Sequence, residues 1–327
     1  MFTCIPYQNE NYKNQNEQEK ISDEEMMNSN KGPFFKWYHR IYQVLMFFIF
    51  LGPIRIILLL ISFSICSIVT IRLILLIISF IICCTITISI VAILKTLKCD
   101  LNKYRHMIIA HARFWLRIFL FCLGIGWIHV EGEFDEDARF MICNHIGLLD
   151  PIIMIQIRYL SFVIKKEFSE IPIIHDMIDV CDPIYVERSK PCGYTNKIIS
   201  QAEDKSKDQI MIFPEGTVCN GNYMLKFHRS AFLTNYKVQP IVMQFWTPLM
   251  PKGWNTFAFL DQGAIELVWD HLSMPLSICK IKVLPSICKD TENDDADTFA
   301  TKTQLMMANH LGIKAINRSS HEFFRIK

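Results

Sequence analysis

The sequence has little charge and lacks several arrangements that define other classes of protein. Only 20% of its 327 residues are charged, the formal net charge is +2, and no basic stripe suits nucleic acid. The twelve cysteines include no Cys-x-x-Cys pair, which argues against a metal site and favours buried or reduced thiols in a protein facing the cytosol. No apolar core follows the initiating Met, so no signal peptide is predicted.

Apolar residues are concentrated near the N-terminus. Most of the excess lies between Val44 and Leu94, whereas residues 1–35 are rich in Asn, Gln, Glu and Lys. A segment of that composition buries too little apolar surface to offset its ordering entropy. The predicted organisation is therefore a disordered polar tail (1–35), a membrane anchor (36–98), a globular domain (99–313) and a short tail (314–327).

The anchor is predicted to be an apolar hairpin in the membrane. Leu73–Leu94 is long enough to cross a bilayer, whereas Ile56–Ile71 is shorter and is bounded by Arg55 and Arg72. No polar loop separates the two runs, which favours a tight or re-entrant hairpin. Basic residues flank both sides and predict that both ends lie in the cytosol: Lys31, Lys36, Arg40, Lys95, Lys98, Lys103 and Arg105.

The rest of the chain is predicted to be an α/β domain with a central, mostly buried sheet flanked by helices. The apolar stretch Phe114–Phe121 fits either a core helix or an interfacial helix. Predicted strands are Trp127–Glu131, Phe140–Cys143, Leu160–Ile164, Ile184–Val186, Gln209–Phe213 and Val238–Phe245. Predicted helices are Pro151–Arg158, Asn196–Lys205 and Ala264–His271.

A histidine and an aspartate follow the second predicted strand. The Asp150-Pro151 pair resembles a helix N-cap with proline in the first turn, which places His145 in a strand-to-helix loop. Gly147 lets this loop fold back, so that the carboxylate can orient the imidazole as a general base. Alone, a His-x4-Asp pair is weak evidence, because the same sequence also fits an Asp150 that does nothing more than cap the helix.

The sequence Phe213-Pro214-Glu215-Gly216-Thr217 follows another predicted strand. Such a turn presents backbone N–H groups, a hydroxyl and a carboxylate at the edge of the sheet, where α/β proteins bind ligands. Together with His145 and Asp150, it forms the signature of the glycerolipid acyltransferases, the family of 1-acylglycerol-3-phosphate O-acyltransferases, which this chain resembles.

The resemblance implies roles for further residues. The family's second motif is similar to the segments Phe162–Glu167 and Pro183–Ser189, and it implies that Arg188 holds the acceptor's phosphate. The fourth motif is similar to Val238-Gln239-Pro240-Ile241, where apolar residues and Pro240 shape a pocket. The resemblance implies substrate binding by Arg188, Glu215, Gly216, Thr217 and Pro240, while Lys165 and Lys166 fit either phosphate contact or a solvated basic pair.

Within the family, the chain most resembles the lysophosphatidylcholine acyltransferases. Pro53-Ile54-Arg55, Leu225–Phe232, Asn255-Thr256-Phe257 and Met307–Ile313 carry this likeness. Some members have EF-hand loops after the catalytic domain, and none occurs in this sequence. His228 stands in a segment where that branch commonly has a lysine-glycine sequence, which leaves the acceptor open.

The resemblance implies an O-acyltransferase of phospholipid metabolism that uses acyl-CoA as co-substrate and needs no cofactor. The expected acceptor is a lysophosphatidylcholine or lysophosphatidylethanolamine. Lysophosphatidic acid, glycerol 3-phosphate and CoA-independent transacylation remain alternatives, as does a non-catalytic membrane scaffold. The expected location is the endoplasmic reticulum membrane or lipid droplets, with the domain in the cytosol.

Overall fold

The computed structural model describes most of the chain from the apolar segment onward. The described residues are 41–46, 64–171, 175, 178–186, 191–248, 257–258, 263–273, 276–290, 294–320 and 322. The predicted disordered tail and Arg188 lie outside them.

Helices and strands alternate through the domain. The helices that position the site are α1 (Ser64–Thr96), α2 (Leu101–Cys122), α3 (Asp150–Ile157), α4 (Pro191–Glu203), α5 (Ala264–Ser273) and α6 (Ala296–Leu311). The strands are β1 (Ile125–Glu131), β2 (Phe140–Cys143), β3 (Ser161–Lys165), β4 (Ile184–Val186), β5 (Ile210–Ile212), β6 (Tyr223–Met224), β7 (Val238–Trp246), β8 (Ser277–Val283) and β9 (Lys314–Ala315).

One seven-stranded sheet organises the domain, in the order β1-β8-β7-β2-β5-β3-β4. Strands β7 and β8 are antiparallel, and the other neighbouring pairs are parallel. Because β2 is parallel to both β5 and β7, the carboxyl ends of these three strands meet at one edge. The predicted α/β class with a central buried sheet is confirmed.

The centre of the sheet is buried on both faces, which explains the continuous apolar sequence of β2. Phe140 and Ile142 pack with residues of α4 and α6, such as Ile198 and Phe299. Met141 and Cys143 belong to the opposite cluster, which includes residues of α2 and α3. Strand β2 therefore lies in the middle layer, and its end is a rigid platform for the loop that follows.

Sequence reasoning found β1 to β5 and β7 but missed β8, which lies between β1 and β7. Cys279, Ile281 and Val283 of β8 are buried, whereas Lys280 and Lys282, which alternate with them, are exposed. The strand alternates because only one of its faces is covered, so it lacks the continuous apolar run that identified the central strands.

Residues Ser64–Thr96 form one continuous helix, α1, so the described part of the apolar segment has no turn at Arg72, where the two predicted runs meet; the hairpin itself stays a prediction. Apolar side chains continue on both sides of Arg72, and its guanidinium is hydrogen-bonded to the domain, so nothing in this stretch interrupts the helix. The part of α1 from Thr70 to Thr96 is long and apolar enough to cross a membrane. Residues 47–63, which hold the first half of the run Ile56–Ile71, lie outside the described residues.

Helix α2, which contains the apolar stretch Phe114–Phe121, is a helix of the domain. Arg113 donates to the carbonyl of Ile155 at 2.5 Å, and Arg117 donates to the carbonyl of Ile125 at 3.0 Å. Leu120 is fully buried. The two arginines thus bind domain backbone, which favours the core-helix alternative.

Two other expectations need correction. Strand β9 pairs with β6, and Ile316 beyond it is buried, so the domain extends past the predicted boundary at residue 313. Packing of these residues against β6 and α6 explains the difference. Cys288 is disulfide-bonded, whereas buried or reduced thiols were expected. Free cysteines among the residues whose side chains the structure describes are Cys83, Cys84, Cys99, Cys122, Cys143, Cys181, Cys219 and Cys279.

Candidate active site

The loop that carries His145 begins with a residue that is hydrogen-bonded to the neighbouring strand. The side chain of Asn144 donates from Nδ2 to the carbonyl of Met243 at 2.9 Å. Its Oδ1 accepts the N–H of Met243 at 2.8 Å. This reciprocal pair fixes the end of β2 to β7, so the next residue leaves the sheet from a defined position.

His145 and Asp150 meet as the sequence predicted. Nδ1 of His145 lies 2.9 Å from Oδ2 of Asp150. The same oxygen accepts the backbone N–H groups of Ile146 at 2.6 Å and Gly147 at 2.9 Å. Because a carboxylate only accepts, it favours the proton on Nδ1 and leaves Nε2 as the basic nitrogen of the ring. The histidine side chain is 18% exposed, so the ring is accessible from solvent.

Asp150 is not the N-cap of the helix, which corrects the expectation from the Asp-Pro sequence. Leu149 occupies that position without a side-chain hydrogen bond to the helix. The carboxylate of Asp150 folds back over the loop, because the three donors there compete successfully with the helix end. The cap-only alternative is therefore excluded by the contacts of Asp150.

The turn after β5 is compact and depends on a glycine. Gly216 has φ +68, a left-handed conformation that side chains disfavour, and its N–H donates to the carbonyl of Phe213 at 3.0 Å. A Cβ at this position would lie 2.7 Å from the ring of His228. Thr217, directly after it, is buried. Both the conformation and the neighbouring ring therefore require glycine.

Three contacts join this turn to the histidine loop. The ring of Phe213 stacks on that of His145, with centroids 4.3 Å apart. Oε1 of Glu215 accepts the backbone N–H of His145 at 2.9 Å, while Oε2 accepts that of Leu225 at 3.0 Å. The carbonyl of His145 in turn accepts the N–H of Cys219 at 2.9 Å. The two motifs therefore form one site.

Burial controls the electrostatics of this site. Glu215 is fully buried, and this desolvation raises its pKa to about 7 despite the amide donors. Burial also raises the pKa of the thiols of Cys143 and Cys219 well above the ordinary value. These thiols stay protonated at neutral pH, which makes them poor nucleophiles.

The other predicted site residues occupy different positions. Lys165 and Lys166 are exposed where β3 ends, and Pro240 lies inside the sheet opposite Ile142. The carboxylate of Glu215 faces the backbone of the protein, so its effect on a substrate would pass through the His145 loop. The substrate-binding roles of these residues stay predictions.

Sequence reasoning missed several residues that build the site. The groups that it missed are the side chain of Asn144, the N–H of Leu225 and the carbonyl of Phe257. The carbonyl of Phe257 would lie 2.1 Å from a Cβ on Gly147. An asparagine directly after a buried strand was the one available signal, and it is a weak one. The backbone groups carry no signal in the sequence.

Comparisons with known proteins agree with this geometry. Residues 128–244 match the family described as Acyltransferase. The chain is 29% identical to a lysophosphatidylcholine acyltransferase of Drosophila melanogaster over 54% of this chain and 34% of that protein. It is 27% identical to the lysophospholipid acyltransferase LPCAT4 of Mus musculus over 61% of this chain and 39% of that protein.

A solved structure has the same fold. The 1-acyl-sn-glycerophosphate acyltransferase PlsC of Thermotoga maritima matches 75% of this chain and 96% of its own, with a TM-score of 0.55 and 17% identity. The fold is thus that of PlsC, and residues 128–244 within it match the Acyltransferase family. The chain is therefore similar to glycerolipid acyltransferases, among them lysophosphatidylcholine acyltransferases, and the matches span 34% and 39% of the two curated relatives named above.

Proposed function

We propose that this protein transfers an acyl group from acyl-CoA to the free hydroxyl of a lysophospholipid. The observation that carries the proposal is the contact of His145 Nδ1 with Asp150 Oδ2, because it leaves Nε2 as a base on an accessible ring. The names of the relatives support a lysophospholipid as acceptor. Lysophosphatidylcholine or lysophosphatidylethanolamine is the proposed head-group class.

The reaction proceeds in one transfer. Nε2 of His145 takes the proton of the acceptor hydroxyl while Asp150 stabilises the imidazolium. The acceptor oxygen forms a bond to the thioester carbonyl carbon, and the carbon–sulfur bond then breaks. The thiolate of CoA leaves and recovers the proton from His145. Cys143 and Cys219 are buried and protonated, so neither thiol is suited to form an acyl-cysteine intermediate.

Labelled acyl-CoA and a panel of acceptors test the proposal on the full chain in lipid vesicles. His145→Ala is expected to lower turnover by about 10²–10⁴, the usual contribution of a general base, with little effect on acceptor binding. His129→Ala, which changes an exposed histidine of β1, is the matched control and should retain activity.

The panel also separates the alternatives. Transfer to lysophosphatidic acid or glycerol 3-phosphate alone would replace the proposed acceptor, and transfer from a phospholipid without acyl-CoA would indicate a transacylase. If wild-type protein acylated no acceptor, the non-catalytic scaffold would be the better description.

We also propose that the protein resides in the endoplasmic reticulum membrane with its domain in the cytosol, lipid droplets being an alternative site. Helix α1 supports a membrane location. Asn317 begins an Asn-x-Ser acceptor sequence and is exposed. It should stay unglycosylated in cells that glycosylate a lumenal control, and glycan on Asn317 would reverse the proposed orientation.

A further inference from the structure

Helix α5 contacts the apolar helix α1 through one arginine. Arg72 of α1 donates from Nη1 to the carbonyl of Leu272 at 3.1 Å and from Nη2 to that of His271 at 3.5 Å. Its Nε donates to the carbonyl of Cys122, at the end of α2, at 3.0 Å. The guanidinium thus fixes the C-terminal end of α5 beside α1.

The same helix end is linked to the histidine loop through one residue, Phe257. The ring of His271 meets that of Phe257 edge to face, with centroids 5.0 Å apart. The carbonyl of Phe257 lies so close to Gly147 that a Cβ there would be 2.1 Å away. Helix α5 therefore lies between α1 and the loop that carries His145, one residue removed from the site.

The outer face of α5 is apolar. Ile265, Val268 and Trp269, spaced as neighbours on one side of a helix, are 88%, 36% and 47% exposed. The inner face includes Asp270, which is buried and accepts from Gln43 at 2.7 Å. An exposed cluster of large apolar side chains, one of them Trp, is typical of a helix that lies at a membrane interface.

We propose that α5 lies on the bilayer surface, with Ile265, Val268 and Trp269 among the lipid head groups and the upper acyl chains. The bilayer is the occupant because α5 adjoins α1 through Arg72, and α1 itself exposes apolar side chains such as Ile71. Trp is favoured at this depth because its ring is apolar while its N–H can reach water. The contact of Phe257 with Gly147 then holds the histidine loop next to the lipid surface.

Tryptophan quenching tests this contact on the full chain reconstituted in phosphatidylcholine vesicles. The emission of wild type minus that of Trp269→Phe isolates the signal of Trp269, and phenylalanine preserves the apolar packing. Lipids brominated near the head-group end of the acyl chains should quench this difference emission at least twofold relative to unbrominated lipids.

Trp127 provides the matched control. It is 65% exposed on β1 and pairs in register with Ile278 of β8. The next residue of β8, Cys279, points into the buried cluster beside α2, so Trp127 lies on the other face of the sheet. The difference emission obtained with Trp127→Phe should show little quenching. Absence of quenching for Trp269, or equal quenching for both tryptophans, would overturn the proposal. The readout requires no acyl transfer, so it stands or fails independently of the proposed reaction.

Discussion

Glu215 holds the backbone of His145 from inside the protein, through a hydrogen bond of 2.9 Å to its N–H. The other oxygen of the same carboxyl group holds Leu225. One buried side chain thus connects the histidine loop, the glycine turn and the segment that enters the C-terminal part of the domain. Its position makes Glu215 a positioning residue for His145.

Replacement of Glu215 by glutamine should impair turnover more than substrate binding. The amide oxygen can still accept one N–H, but the amide nitrogen would then face a second N–H donor, so one of the two bonds is lost. We expect kcat to fall about 10-fold or more with KM nearly unchanged, because a small displacement of a catalytic group is costly. Steady-state kinetics measure both constants.

Glu203→Gln makes the same chemical change at an exposed position at the end of α4 and should leave kcat as in wild type. Equal kcat values for Glu215→Gln and Glu203→Gln would contradict the positioning role.

The stability of the protein should decrease as the pH rises from about 4.5 through about 7. Burial raises the pKa of Glu215 from 4.5 to about 7, so in this window the folded state binds a proton that the unfolded chain releases. This shift in pKa contributes about 3 kcal/mol to the free energy of unfolding. The contribution is fully present below pH 4.5 and is lost above pH 7. Thermal unfolding in detergent at several pH values measures it.

Glu215→Gln cannot ionise, so its thermal midpoint should vary less over the same window. A midpoint that rose with pH in wild type, or an equal slope in both proteins, would show that another group dominates.

Asp150→Asn should reduce catalysis without unfolding the loop. The amide oxygen can still accept from Ile146 and Gly147, but an uncharged side chain no longer stabilises an imidazolium. We expect kcat to fall by about 10²–10⁴, the range of general-base catalysis, measured by acyl transfer.

Asp297→Asn, at an exposed position in the first turn of α6, is the matched control for Asp150→Asn. Retention of full activity by Asp150→Asn would separate the carboxylate from the reaction.

Gly216→Ala should destabilise the domain by about 1–3 kcal/mol, since a side chain is unfavourable at φ +68 and its Cβ would meet His228 at 2.7 Å. Gly263→Ala is the matched control, because a Cβ there meets nothing within 4 Å. Differential scanning calorimetry compares the two variants.

The second substitution His228→Ala should recover the steric part of the loss in Gly216→Ala and leave the part due to φ. If Gly216→Ala were as stable as wild type, the geometry described for the turn would be wrong.

Much of the fold was predictable because its central strands are buried on both faces and therefore apolar throughout, as in β2. Strand β8 was missed because Lys280 and Lys282 interrupt its apolar residues. The guanidinium of Arg72 in α1 binds carbonyl groups of distant residues, which no local pattern reveals.

The pairing of His145 with Asp150 was predictable from their spacing and the glycine between them. The same sequence also fits a helix cap, and only the positions of the three donors distinguish the two. The role of Glu215 was less accessible, because both of its partners are backbone N–H groups that any residue would offer at those positions.

The contacts of Arg72 have a consequence for biosynthesis. Its acceptor carbonyls belong to Cys122, His271 and Leu272, which follow Arg72 in the sequence by 50, 199 and 200 positions. When α1 leaves the ribosome, the carbonyl groups of His271 and Leu272 have not yet been made, so the guanidinium cannot form these two hydrogen bonds. The contact between α1 and α5 through Arg72 can therefore form only after the last third of the polypeptide has been translated and folded.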